Sequence, residues 1–472
     1  MEYLRKPWKH QQTAIDKAKA VRDFALFMEM GTGKTLAAIN IARHKYAESG
    51  VLRTLVLCPP VVISNWKEEW LANSKLEAKH IVCLGAKARK KYQPQTVHKV
   101  LVTNYEALLN KDFYAKLEAW APQLIIYDES HKLKNPSSKR SKQCYKLTGN
   151  ALHRYILTGT PILNDPMDAF GQFLVLDNGE TFGKSFWAFR NKYFYDKNAG
   201  MPKHVHFPDW KIRPSAEAEI SKLISDRSYR VKKLDCMDLP PLVQTTLFVD
   251  MAPEQKRMYD QMKKSLVAYL DDKACIASIA LTKSLRLLQI ASGFVSLEGD
   301  NENEERHFKK NPKDEALESI LESAVGGGQK VIVWASFRRN YDSIRAVCQK
   351  MGVKSVELHG AVNQKAKDSA IHDFQRDPDT KVLIGHPASG GIGINLINSE
   401  NNATVTVFYS RTYSLVDDLQ AEARNHRGGA ESYDKITRID LVCRDTVDEF
   451  VLKALSDKVD MSERILEIGK YL

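Results

Sequence analysis

The stretch FALFMEMGTGKTLAAINIARHKY, residues 24–46, is the part of the sequence that decides the fold. It opens on a short apolar run, Phe24–Met28, bounded by charged residues, as a buried strand would be. Gly31-Thr32-Gly33-Lys34-Thr35 follows, and then a run of Leu, Ala and Ile with helical spacing. A strand, a glycine-rich turn and a helix in that order cradle phosphates. Backbone N–H groups and the helix N-terminus face the anion, a lysine meets the terminal phosphates, and a threonine hydroxyl takes a divalent cation. Lys34 and Thr35 stand at those two places. The complete form of the pattern has a small residue where Met28 stands, a position that supplies no phosphate ligand.

Working outward, further short apolar runs recur at Thr54–Cys58, Val100–Thr103, Leu124–Tyr127 and Tyr155–Leu157, separated by helix-like segments. Alternation of this kind predicts parallel strands joined by helical crossovers, a doubly wound α/β sheet. Ligands bind such sheets outside the carboxyl ends of the strands. There the run QLIIY ends on Asp128-Glu129-Ser130-His131. Asp128 is placed to orient Mg²⁺ beside Thr35, and Glu129 to polarise an attacking water.

The same texture returns at Lys330–Trp334, Ser355–Leu358, Lys381–Ile384, Thr404–Tyr409 and Ile436–Val442. Two α/β lobes are therefore expected, residues 1–238 and 239–472, divided near Leu239-Pro240-Pro241. Between the strand-rich parts lie two expected helical insertions. One, about 168–235, is rich in aromatics; the other, about 250–298, carries Met258, Met262, Leu266 and Leu270 at helical steps. The polar stretch Gly299–Lys310 reads as a loop, and Gly326-Gly327-Gly328 as the stop of a preceding helix.

Composition narrows the function classes. Apolar runs fall far short of the ~20 residues a membrane-spanning helix needs, and no secretion signal opens the chain. Seven scattered cysteines form no C-x-x-C pair, which suits reduced thiols better than a disulfide or zinc frame. Lys and Arg number 70 against 58 Asp and Glu, a net charge of +12 that suits a polyanionic partner and equally a solvated basic surface.

Taken together, the blocks resemble a superfamily 2 helicase-type ATPase, and within it the Swi/Snf family of DNA translocases. MEMGTGKT resembles motif I, LVLCPPVVISNWKEEW motif Ia, VLVTNYEAL motif Ib, DESHKLKN an extended motif II and LTGTPILN motif III. VIVWASF resembles motif IV, GHPASGGIGINL motif V and QAEARNHRGGA motif VI, the last with Ala423 where the family has an acidic residue and Gly428-Gly429-Ala430 where it has I-G-Q. These blocks run in family order from about Leu4 to Lys458.

The resemblance implies two RecA-like lobes and a DNA-stimulated ATPase that uses ATP and Mg²⁺. Met30, Gly31, Thr32, Gly33, Lys34 and Thr35 would hold the phosphates, Gln11 the adenine, and Gly393 the ribose or a phosphate. Lys34, Asp128, Glu129 and the arginine fingers Arg424 and Arg427 would carry catalysis. Nucleic acid would lie on loops near Asn65, Trp66, Thr103, Asn104, Thr160, His359, Gly360, Ser389 and Gly390. Of these, Trp66 equally suits a core position, and His359 a satisfied turn.

The expected partner is DNA, single- or double-stranded and bound without sequence preference, with RNA a second candidate. The protein would act as a monomer in bacterial or phage-infected cytoplasm, with no membrane. Two other readings share these motifs: a strand-separating helicase on forked or branched DNA, and a nucleotide-gated DNA clamp with little hydrolysis.

Overall fold

The computed structural model describes residues 3–201, 208–271, 277–297, 304–390, 396–397 and 401–468. The chain divides into two compact units, Met1–Met237 with Lys458–Leu472, and Asp238–Asp457. The break lies one residue before the expected one, and the last fifteen residues group with the first unit instead of the second. Grouping follows packing, which residue pattern at a chain end does not reveal.

In the first unit, α1 (Lys9–Lys19) precedes β1 (Asp23–Met28), α2 (Lys34–Ser49), β2 (Thr54–Leu57) and α3 (Ile63–Asn73). There follow β3 (Ile81–Leu84), β4 (Val100–Thr103), β5 (Leu124–Asp128), β6 (His153–Leu157), a hairpin of β7 (Phe194–Asp196) with β8 (Trp210–Ile212), and β9 (Ser228–Val231). The main sheet runs β3-β4-β2-β5-β6-β1-β9. Every pairing in it is parallel. Strands β1, β2, β4 and β5 are buried along their whole length, because helices cover both faces of a doubly wound sheet. That burial is why they read as unbroken apolar runs.

Four strands of this unit, β3, β7, β8 and β9, escaped that reading. Ser228–Val231 is only partly buried and closes the sheet edge beside β1, so the 168–235 insertion is not wholly helical. Its helices Asp168–Asp177 and Phe186–Tyr193 join a cluster of Phe170, Phe173, Phe182, Phe189 and Phe194 in the core of this unit. Ring centroids there lie 5.0 Å apart for Phe170–Phe189 and Phe182–Phe189. The aromatic richness is therefore core packing.

Gly171 sits inside the first of these helices, and a Cβ there would lie 2.3 Å from the Leu133 carbonyl oxygen and 2.7 Å from that of Lys134. Glycine is normally a weak helix residue, worse than alanine by about 1 kcal/mol. Here the backbone clash outweighs propensity. Gly171→Ala is expected to lower the thermal midpoint, at an overpacking cost of about 1–3 kcal/mol; an unchanged or raised midpoint in a melt would refute the close packing.

The second unit contains β10 (Leu242–Val249), β11 (Phe294–Leu297), β12 (Glu304–His307), β13 (Val331–Trp334), β14 (Lys354–Leu358), β15 (Thr380–Gly385), β16 (Val405–Phe408) and β17 (Ile436–Cys443). Its sheet, β10-β17-β16-β13-β15-β14, is again parallel throughout. All five expected strands are present. The edge strand β10 was missed because its exposed positions dilute its apolar pattern. Helices Pro253–Asp271 and Ala277–Ala291 occupy the second insertion, with Met258 and Met262 packed on a small core around Tyr259 and Ile290. Glu304–His307 pairs antiparallel with Phe294–Leu297, so part of the expected 299–310 loop is a hairpin strand. The helix Pro312–Gly326 does end at the triple glycine, where Gly328 takes a φ of 76°.

Candidate active site

The phosphate loop leaves β1 at Met28 and enters α2 at Lys34. Gly31 and Gly33 take φ values of 85° and 79°, a backbone that L side chains resist. No side chain caps α2, which leaves its first N–H groups for an anion. The Lys34 ammonium donates to the carbonyls of Met28 at 2.9 Å and Glu29 at 3.4 Å, which holds it folded over the loop. Loop, amides and cation form a cradle that fits a triphosphate. Thr32, by contrast, is buried and spends its hydroxyl on Glu29 O at 2.7 Å.

Gln11 is buried, and both ends of its amide are bonded: Oε1 accepts from the Trp8 N–H at 2.9 Å, and Nε2 donates to Thr32 O at 3.1 Å. A Cβ on Gly33 would meet that Nε2 at 2.0 Å. In this conformation Gln11 braces the loop. Reaching an adenine would require it to exchange these partners.

Asp128 ends β5 and Glu129 follows it, one strand removed from β1, since β6 runs between the two. Both are buried. Burial drives the Asp128 carboxyl up, and the adjacent Glu129 charge drives it further; the Trp66 indole N–H and Lys34 hold it back. A buried carboxylate whose charge is disfavoured gains most from a cation beside it, so Asp128 with the Thr35 hydroxyl suits Mg²⁺. For Glu129, burial also acts upward, but a bond from His131 and the field of Lys34 win and hold it well below the usual range. His131 Nδ1 lies 3.3 Å from Glu129 Oε2 and 3.2 Å from the Thr158 hydroxyl. Glu129 adopts φ 52°, a left-handed backbone for a non-glycine residue that costs about 1–3 kcal/mol and clusters at functional sites.

Several supports carried no legible signal in the sequence. Ser130 donates to Gln172 Oε1 at 2.8 Å, and Gln172 Nε2 donates to Pro161 O at 2.6 Å, so one glutamine ties the turn after β5 to the loop after β6. A Cβ on Gly159 would meet the Glu29 Cα at 3.2 Å, which shows how closely that loop presses on the phosphate loop.

The nucleic-acid residues divide. Asn65 and Gly360 are exposed, and Asn104 is half-buried. Trp66 and Thr103 are buried: the first donates its indole N–H to Asp128 Oδ2 at 2.9 Å, the second its hydroxyl to Leu84 O at 2.9 Å. Both side chains are buried with their donors spent inside the protein, so neither is presented at the surface where DNA would lie. His359 is also buried, stacked on Tyr341 with centroids 4.4 Å apart and bonded to Glu357 at 2.8 Å, which is the satisfied-turn alternative. Thr160 is nearly buried with a hydroxyl that lacks a partner. Ser389 and Gly390 fall in the short helix Pro387–Gly390, and Gly393 lies outside the described residues.

In the second unit, the helix Leu415–Glu422 leads into Arg424 and Arg427. Arg438 clamps that helix by pairing with Asp418 at 2.7 Å and with Glu422, and Arg411 adds a bond to Asp440. Both guanidiniums lie 4.4 Å from the Phe408 ring. Arg424 is buried, with Nε donating to Gln420 O at 2.9 Å. Burial pulls Arg427 below the ordinary guanidinium range, so an anion brought against it would be favoured.

Residues 15–294, more than half of the chain, match the SNF2-related domain, and residues 312–429 match the helicase conserved C-terminal domain. The chain belongs to the SNF2 family of helicase-like ATPases. As a member it is an ATP-hydrolysing enzyme. It is 27% identical to the putative protein p41 of Acyrthosiphon pisum secondary endosymbiont phage 1, over 98% of each chain. It is 25% identical to the chromodomain-helicase-DNA-binding protein 1-like of Danio rerio and 23% identical to the DNA repair and recombination protein RDH54 of Saccharomyces cerevisiae. These matches cover 94% and 93% of this chain but only 42% and 50% of those relatives, so it spans half of their length or less. Among solved structures, the Sulfolobus solfataricus SWI2/SNF2 ATPase core in complex with dsDNA is 22% identical, covers 98% of this chain and 99% of its own, and has a TM-score of 0.45. No helix among the described residues is long and apolar enough to cross a membrane.

Proposed function

We propose that this SNF2-family chain is a DNA-stimulated ATPase that converts hydrolysis into movement along DNA or remodelling of what is bound to it. The observation that carries the reading is the buried Glu129 carboxylate, steadied by His131 at 3.3 Å and following directly on Asp128, with the Lys34 cradle on the phosphate loop. A clamp that scarcely hydrolyses has no use for a base held ready in this way.

In the proposed mechanism Lys34 and the first N–H groups of α2 bind and orient the phosphates. Thr35 and Asp128 would hold Mg²⁺, which would supply positive charge to offset that of the phosphate oxygens. Glu129 accepts a hydrogen bond from the attacking water at Oε2. Arg424 and Arg427 compensate the charge that grows on the transferred phosphoryl group. Asn65, Asn104 and Gly360 are proposed to contact the sugar–phosphate backbone, and the relatives named for DNA binding and DNA repair support that partner.

The test is phosphate release with duplex, single-stranded and branched DNA and with RNA, each at two salt concentrations. Stimulation by DNA that weakens steeply with salt is expected, since backbone contacts release counterions. Turnover indifferent to every nucleic acid would sink the proposal. A fluorescent strand-displacement arm distinguishes a strand-separating helicase from a motor that moves without unwinding.

A further inference from the structure

Both segments proposed to face DNA in the first unit have, as the next residue, a buried side chain bonded to Asp128. Asn65 is exposed on α3, and its neighbour Trp66 donates to Asp128 Oδ2 at 2.9 Å. Asn104 begins the turn after β4, and its neighbour Tyr105 donates its hydroxyl to the Asp128 backbone carbonyl at 2.7 Å. Trp66 and Tyr105 are almost wholly buried, at 1% and 0% exposure. Oδ1 of the same aspartate accepts the Glu129 N–H at 3.0 Å. Asp128 is thus held on its side chain from one DNA-facing segment and on its backbone from the other.

The chemistry favours transmission over simple filling of space. Indole and phenol rings are rigid, with two rotatable bonds each, so a shift of α3 or of the turn at Asn104 moves their donors with the backbone. Nearby on α3, Trp70 provides a contrast. It is just as buried, yet its indole nitrogen has no hydrogen-bond partner. Packing alone would have asked nothing more of Trp66.

We infer that Trp66 and Tyr105 are positioning residues that transmit DNA engagement at Asn65 and Asn104 to Asp128, so that DNA tightens the grip on Mg²⁺-nucleotide. The inference rests on the DNA reading above. Coupling of this kind is reciprocal, so it is measurable as binding without turnover. The experiment uses the full chain carrying Glu129→Gln, titrated with a fluorescent Mg²⁺-ATP analogue with and without a saturating mixed-sequence duplex.

In that parent, DNA is expected to tighten the analogue within the usual range of about 5- to 150-fold. Adding Trp66→Phe, or separately Tyr105→Phe, should bring the ratio close to one while duplex affinity without nucleotide stays at the parent value. Trp70→Phe should leave the ratio intact. Tyr105→Phe removes only a hydroxyl and serves if Trp66→Phe fails to fold.

A parent-like ratio in both variants overturns the inference, as does a parent that binds DNA with no effect on nucleotide. Loss of duplex affinity in the variants also overturns it, in favour of a direct role in binding DNA. A parent that binds no DNA overturns the DNA reading itself, and this inference with it.

Discussion

Arg427→Ala is expected to lower ATP turnover by about 10³–10⁵-fold, the range an arginine finger supplies in phosphoryl transfer. Nucleotide affinity should change little, because Lys34 and the α2 amides bind the phosphates. The reason lies in when the charge is needed. Phosphoryl transfer spreads negative charge over oxygens that the ground state does not load to the same degree, and a guanidinium helps most there. Burial already disfavours the cation at Arg427, so a developing anion is a favoured neighbour. Arg427→Lys should not restore the rate, since an ammonium lacks the planar fork. The measurement is steady-state phosphate release beside equilibrium binding of a fluorescent ATP analogue. Wild-type turnover in the alanine variant would remove the finger assignment. A parallel loss of nucleotide affinity would move Arg427 into ground-state binding.

Glu129→Gln is expected to cost about 10²–10⁴-fold in kcat, the usual worth of a positioned base, with nucleotide still bound. The substitution keeps the size of a buried side chain but removes the charge that His131 and Lys34 hold in place. Lys34→Ala separates the two roles: it should lose affinity for nucleotide as well as turnover, since the ammonium faces the phosphates in ground and transition states alike. Single-turnover hydrolysis with enzyme in excess reads the chemical step directly. A Glu129→Gln protein that hydrolyses at the wild-type rate would transfer the base role elsewhere.

Much of this site is legible from residue order, and the reason is local geometry. A glycine-rich turn between a strand and a helix can do little else with its backbone N–H groups, so GTGKT specifies a phosphate cradle wherever it folds. The run QLIIY followed by Asp-Glu places two carboxylates at a strand's carboxyl end for the same reason. Strands buried on both faces advertise themselves as apolar runs, whereas the half-exposed edges Ser228–Val231 and Leu242–Val249 do not.

Side-chain direction is another matter. Asn65 and Trp66 are adjacent letters in one motif, yet a helix turns successive residues by roughly 100°, and one faces solvent while the other enters the core. Thr103 and Asn104 part in the same way at the end of a strand, where successive side chains alternate between faces.

From residue order alone come the two parallel-sheet lobes, the phosphate loop and the acidic pair, each resting on a strand and the turn that follows it, whereas Arg424 and Arg427 are singled out only through the family resemblance. Only tertiary structure decided that Trp66 and Tyr105 bond to Asp128, that Gln172 bridges two loops, and that Arg438 clamps the helix before Arg424. Those partners lie from 11 to 62 residues apart, and chain order carries no information about which distant donor will meet which buried acceptor once the sheet closes over it.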